Sequence, residues 1–167
     1  MKNDLRDVMR NFVTGVCVIS TYSDQGATRR HDAITANSFT SVSLDPPLVS
    51  ISLRTESVFL TDLMESKVWG VSILDSTQEG TARSFARPRE EREEKLRQLS
   101  LETGEKTGTL LLDAPAWLEC RTRDHLVVGD HIMVIGEVVA LGVRGSGSPL
   151  IFVQGGFHRF ESEQVGN

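Results

Sequence analysis

The chain has 167 residues, a formal net charge of −5, a pI near 5.4 and an apolar fraction of 39%. That length and apolar fraction fit one domain with a core that needs no metal or disulfide. The acidic balance argues against the basic face that nucleic-acid binding requires.

In chain order, Leu5, Val8, Met9, Phe12 and Val13 recur at helical spacing, with Asp4 as N-cap and Gly15 past the end. Such a stripe must dock either on the chain's own barrel or on a partner subunit. Val16 to Tyr22 is β-branched and aromatic, which predicts a strand. A turn at Ser23-Asp24-Gln25-Gly26 follows, then a second strand from about Arg29 towards Phe39. Asp45-Pro46-Pro47 breaks the pattern, and Leu48 to Leu53 alternates as a strand with one wet face. Ser57 caps a short helix carrying Leu60, Leu63 and Met64, and Val68 to Leu74 is a strand. Ser76-Thr77-Gln78-Glu79 has the form of a capping box, opening a helix that carries Ala82, Phe85 and Ala86.

Pro88 suits a first helical position, and the charged run Arg89 to Leu99 reads as a solvated helical face. Thr103 to Gly108 reads as a flexible loop, Trp117 to Arg121 as a strand and Gly129-Asp130 as a turn. His131 to Leu141 is the strongest strand signal, expected to be central and buried on both faces. After a Gly/Ser loop at Gly142 to Ser148, two short strands, Leu150 to Val153 and Phe157 to Phe160, flank Gly155-Gly156. Short strands with Gly/Pro turns, and no regular strand–helix alternation, argue for a mainly β fold: a closed antiparallel barrel with peripheral helices.

Two cysteines, Cys17 and Cys120, lie far apart without Cys-x-x-Cys spacing. They are expected to be buried thiols in a reducing, cytoplasmic compartment. The first ten residues mix charges, so no signal segment is expected, and no run reaches the ~20 apolar residues of a membrane span. No histidine pair has metal-ligand spacing, so no metal is expected. Neither a nucleophile elbow nor a Gly-x-Gly-x-x-Gly dinucleotide fingerprint is present.

Three stretches carry chemistry. Thr35 to Pro47 sets the polar groups of Thr35, Asn37, Ser38 and Ser41 between apolar anchors. It reads either as a polar β-edge or as a lining for a planar, hydrogen-bonding ligand. In Ser50 to Ser57, Arg54 and the hydroxyls of Ser52, Thr55 and Ser57 lie at a predicted helix N-terminus. They serve either simple capping or a phosphate. In Ser84-Phe85-Ala86-Arg87, Arg87 either complements a helix dipole or reaches a phosphate or a dimer partner. His131, at the head of the long strand, is either a satisfied strand-end histidine or a ligand contact.

Taken in order, these segments resemble the short-chain flavin reductases that serve two-component monooxygenases. The matching motifs are M-R-N-F-V-T-G-V-C-V-I-S at 9–20, T-A-N-S-F-T-S-V-S-L-D-P-P-L-V at 35–49 and S-F-A-R at 84–87. Further on come W-L-E-C-R at 117–121, G-D-H at 129–131, I-G-E-V at 135–138, P-L-I-F at 149–152 and G-G-F-H at 155–158. The resemblance implies an FMN-binding split β-barrel, with Greek-key antiparallel strands and short helices, assembled as a homodimer. It implies that Thr35, Ala36, Asn37 and Ser38 line the isoalloxazine ring. Ser52, Leu53, Arg54 and Ser57 then hold the ribityl-phosphate arm, and Phe85, Ala86 and Arg87 close over the flavin. His131, Phe157 and His158 are placed near the nicotinamide.

One departure is Ala33, where many relatives carry glycine. The implied chemistry is hydride transfer from NADH or NADPH to FMN, or to FAD, with no acid or base residue needed. The reduced flavin would go to a monooxygenase partner, with no nucleic-acid or membrane partner. Two other readings stay open: a flavin-binding sensor or carrier without turnover, and a flavoprotein oxidoreductase that keeps its flavin for a substrate of its own.

Overall fold

Described over residues 4–160, the computed structural model turns the β-branched and alternating segments into strands and the capped segments into short helices. In chain order these are α1 (Leu5–Met9), β1 (Thr14–Gly15), β2 (Cys17–Gln25), β3 (Thr28–Ala36), β4 (Thr40–Leu44) and β5 (Pro47–Arg54). Next come α2 (Val58–Ser66), β6 (Val68–Ile73), a 3-10 turn (Ser76–Gln78), α3 (Glu79–Phe85), α4 (Arg89–Gln98), β7 (Leu101–Thr103) and β8 (Leu110–Leu112). The chain ends with β9 (Ala116–Val128), β10 (His131–Val143), β11 (Leu150–Val153) and β12 (Gly156–Arg159). Residues 1–3 and 161–167, which belong to the one-domain expectation, lie outside the described residues, and with 1–3 goes the start of the segment read against a signal. Among the described residues no helix is long and apolar enough to cross a membrane.

Among the described residues every strand pairing is antiparallel. Seven strands form one sheet in the order β3-β2-β6-β9-β10-β5-β4, and its edge strands β3 and β4 are not hydrogen-bonded to each other. A second sheet, β1-β11-β12, and the pair β7-β8 complete the strands. The mainly β expectation holds.

Two cores follow. One gathers Ile19, Ile51, Leu63, Trp69, Val71 and Val134, each at most 0% exposed, between the large sheet and α2. In it Gly136 is required, because a Cβ there would run into the Trp69 ring. The other gathers Val16, Val18, Ala33, Leu74, Ala82, Phe85 and Leu150 beneath α3 and β11.

The differences from expectation have local causes. The first helix stops at Met9 because the Asn11 side-chain amide donates to the Asp7 and Val8 carbonyls, leaving Phe12 and Val13 beyond the helix and exposed. β2 runs on to Gln25, and the turn falls at Gly26, whose φ of 63° suits glycine. β3 ends at Ala36, and a separate edge strand, β4, follows. The capping box lies one residue earlier than expected. Asp75 accepts from the Thr77 N–H while Gln78 reaches back to the Asp75 N–H.

The 104–108 segment is a bonded turn and not a loose loop. The buried Glu119 carboxylate accepts from the Lys106 and Thr107 N–H groups and from the Thr107 hydroxyl, at 2.8–3.0 Å. β9 extends well past Arg121, to Val128. β10 is central, between β9 and β5, but only Val134 and Gly136 are fully buried along it. Its other face is open, with Met133 and Leu141 exposed. The last strand spans Gly156–Arg159 and leaves Phe160 outside.

Cys17 and Cys120 are free and buried. Burial pushes both thiols up to about 12, with the Glu119 charge adding to the effect at Cys120. At pH 8 only about one thiol in ten thousand would then be ionised. A thiol-specific disulfide reagent is therefore expected to leave both cysteines unmodified in the folded chain and to label two per chain after denaturation. Rapid labelling of the folded protein would contradict their burial.

Candidate functional site

The C-terminal end of β3 carries Thr35-Ala36 and passes into Asn37. Facing it are the end of α3 and the small sheet. Together Val16, Thr35, Ala36, Asn37, Ala86, Phe152 and Phe157 line a cleft of about 170 Å³. The pairing of β1 with β11, with Thr14 opposite Phe152, carries Phe152 to this wall. The pairing of β11 with β12 sets Phe157 opposite Phe152, where the two rings meet edge-on at 5.5 Å. The cleft thus has apolar aromatic and alanine walls and one polar lip, at Asn37. The Thr35 hydroxyl is already used, donating to the Ala82 carbonyl at 2.5 Å and tying β3 to α3.

Five of the predicted residues therefore meet in one cleft: Thr35, Ala36, Asn37, Ala86 and Phe157. Phe85 does not present its side chain there. It is 1% exposed and packs with Ala82 in the second core, so it supports the cleft from beneath. Ala33 is also fully buried in that core, so its methyl is accommodated away from the cleft. Arg87 is exposed and paired with Glu91 at 2.9 Å. His158 follows Phe157 on β12 and is exposed.

The remaining predicted residues form a second group that adjoins the cleft through Ser38, the residue after Asn37. Ser38 donates its hydroxyl to the Ser52 carbonyl at 3.0 Å and accepts from the Ser52 N–H at 3.1 Å, which fastens the chain after Asn37 to β5. Leu53 is a core residue, 7% exposed, and offers backbone only. Arg54 ends β5 and is exposed directly across from His131, the first residue of β10. The His131 ring nitrogen Nδ1 lies 2.7 Å from Asp130 Oδ1, and this hydrogen bond holds the Asp130 carboxyl below the usual carboxylate range. Ser57 caps α2 by accepting from the Leu60 N–H. Within one chain, His131 belongs to this group and not to the cleft of Phe157.

Sequence reasoning missed three contributors. Val16 and Phe152 reach the cleft only through long-range pairing. Arg83 holds its guanidinium 5.2 Å above the Phe157 ring while bonded to Glu79, placing a cation at the cleft's rim.

It also missed what fixes the corner between α3 and α4. Asp32, fully buried on β3, accepts from Arg92 Nε and Nη2 at 3.0 and 2.7 Å. Arg92 donates onward from Nη1 to the Arg87 carbonyl at 2.9 Å. Arg89 bonds Asp62 at 2.5 Å. The α4 helix was expected to be a solvated charge face. Instead, two of its arginines are nearly buried and anchor the corner that carries Ala86 and Arg87.

Residues 9–161 match the family described as flavin reductase like domain. A probable flavin reductase of Rhizobium meliloti is 36% identical over 156 residues, covering 92% of this chain and 47% of that protein. The reductase component of a flavin-dependent trigonelline monooxygenase from Acinetobacter baylyi is 35% identical over 135 residues, covering 81% of this chain and 42% of that protein. The chain thus spans less than half the length of these two curated relatives. Among solved structures, an NADH:FAD oxidoreductase of Streptomyces globisporus superposes with a TM-score of 0.85 at 35% identity, covering 95% of this chain and 92% of that one.

Proposed function

The chain belongs to the flavin reductase like domain family, and we propose that it is an NAD(P)H:flavin oxidoreductase that reduces FMN or FAD and releases it to a monooxygenase partner. The observation that carries this reading is the cleft in which Thr35, Ala36 and Asn37 face Ala86, Phe152 and Phe157. Its donor set fits a flavin: flat apolar walls suit a tricyclic ring, and the Asn37 amide can both donate to and accept from a ring edge of alternating donors and acceptors. When bound, the flavin supplies the N5 position that accepts a hydride from nicotinamide C4.

The protein's part is to hold and orient. Asn37 and the adjacent backbone would hold a flavin by hydrogen bonds, and Ala36 and Ala86, having small side chains, would leave room for the ring. Phe157 offers a stacking surface, with Arg83 above it as a cation for a phosphate. Arg54, Ser52 and the free N–H groups at the start of α2 form the second anionic contact region. His158, next to Phe157, would stand on the nicotinamide side, while His131 stands across from Arg54 in the second contact region.

In this reading the described residues are one domain acting as a homodimer. No residue of α1 is buried, and Leu5, Val8, Met9 and Phe12 are all at least 50% exposed, so this stripe lacks cover among the described residues. Leu126, Val127 and Val128 on the β9–β10 hairpin are exposed in the same way. A cytoplasmic setting accords with two free, buried thiols.

The test is oxidation of NADH and of NADPH under air, each with FMN, FAD or riboflavin, followed through the near-ultraviolet absorbance of the reduced nicotinamide. Flavin-dependent oxidation is the expected result. Flavin binding, seen as fluorescence quenching, without turnover by any pair would overturn the reading and leave a non-catalytic binder.

A further inference from the structure

A second concavity, separate from the cleft, lies between the beginning of β3, the C-terminal half of α4 and β8. Its volume is about 320 Å³. Its apolar surface comes from Leu96, which is buried, and Leu110, which is half-buried. Around these stand Arg29, Arg30, Arg97 and His31, with Glu93 as the one carboxylate among the lining residues. From Arg30 to Thr35 the extended strand covers about 16 Å, so this groove and the flavin cleft do not overlap.

Each of the three guanidinium groups is already paired with a carboxylate. Arg29 makes a two-pronged contact with Asp24, at 2.7 and 2.9 Å, and lies 3.6 Å over the Tyr22 ring. Arg97 is bonded to Glu94 through Nε and Nη2. Arg30 bonds Glu93 through Nε. Among the described residues these bonds leave both terminal amino groups of Arg30 and one of Arg97 without a side-chain acceptor. Held donors lose little freedom on binding an anion.

His31 adds an unmet group. Its Nδ1 is buried with no hydrogen-bond partner among the described residues. Burial first, and then the charge of Arg29, depress its pKa, with the Asp24 charge acting in the opposite direction.

We propose that this groove binds a small organic anion, a carboxylate carried on a compact apolar body. The unused terminal amino groups of Arg30 and Arg97 take the carboxylate, with Arg29 adding positive charge nearby, and Leu96 and Leu110 take the body. An inorganic anion would use only the first half of the site.

The test uses the intact chain with two probes, benzoate and inorganic phosphate, titrated by calorimetry and by the imidazole proton resonances of His31. Benzoate is expected to bind saturably, once per chain, and to shift the His31 signals, with phosphate weaker by at least about fivefold. Arg30→Gln and Arg97→Gln are each expected to weaken benzoate by about 5- to 10-fold while leaving the melting temperature unchanged. Saturating FMN is expected to leave benzoate binding intact. The proposal fails if benzoate gives no saturable signal, if neither variant weakens it, if phosphate binds as well, or if FMN displaces benzoate. The last result would place benzoate in the flavin cleft, and none of these outcomes depends on reductase turnover.

Discussion

Asp32→Ala is expected to destabilise the protein by about 3–5 kcal/mol, the usual cost of removing one partner from a buried ion pair. The Asp32 side chain is fully buried, and the side chains of Arg92 and Arg89 are only 13% and 15% exposed. Without the carboxylate, Arg92 keeps a single bond, to the Arg87 carbonyl, and the Ala33 N–H loses an acceptor at 2.8 Å. Arg89 is spared the worst because Asp62 still holds it.

The readout is the urea midpoint at fixed protein concentration, since any assembly makes stability concentration-dependent. In thermal terms the shift corresponds to about 10 °C. The double variant Asp32→Leu with Arg92→Leu is expected to recover most of the loss, because an apolar pair of similar volume carries no desolvation penalty. A single-variant cost below about 1 kcal/mol would mean that water reaches the pair. The same variant should also raise the KM for flavin, because Arg92 is the link between Asp32 and the Arg87 backbone beside the cleft.

This ion pair marks the boundary of what the sequence discloses. Strands were legible where the period is strong: the run through Val18, Ile19 and Thr21, and the long segment after His131, became β2 and β10. The Ser57 cap was legible because an N-cap is local. The neighbouring cap was displaced to Asp75 because aspartate and serine both cap well, and the choice between them depends on where the chain leaves β6. The run R-E-E-R-E-E-K-L-R-Q alone does not separate Arg92 from Arg97. One is claimed by a carboxylate sixty positions away, and the other stays in solvent.

Phe85 is a different case. Ala82 and Phe85 stand three apart on one helical face, a spacing that already places the ring in the core with Ala82. The motif resemblance pointed the ring at the ligand instead. Phe152 was out of reach, since only the pairing of β1 with β11 brings it to this wall, whereas Val16 arrives through the β2–β3 pairing that sets Cys17 opposite Ala36.

Ala86→Trp is expected to lower kcat/KM for flavin by about 100-fold, roughly 2.7 kcal/mol of lost transition-state binding, with most of the effect in KM. Ala86 is exposed at the end of α3 and faces the cleft, so a large ring there occupies ligand space without entering either core. Its φ of −90° and ψ of 1° are open to any L-residue, so no backbone strain accompanies the change. Stability is therefore expected to stay within about 0.5 kcal/mol of the parent, as for other exposed positions. That combination separates this variant from Asp32→Ala, which loses stability first and flavin affinity as a consequence. Ala36→Trp would not make the same distinction, because Ala36 is 9% exposed and packs against the first core. If Ala86→Trp turned over flavin with the parental KM, the ring would bind elsewhere, and the second group, around Arg54 and His131, would become the leading site. A loss of kcat at unchanged KM would instead put the flavin in the cleft but displace the nicotinamide from it.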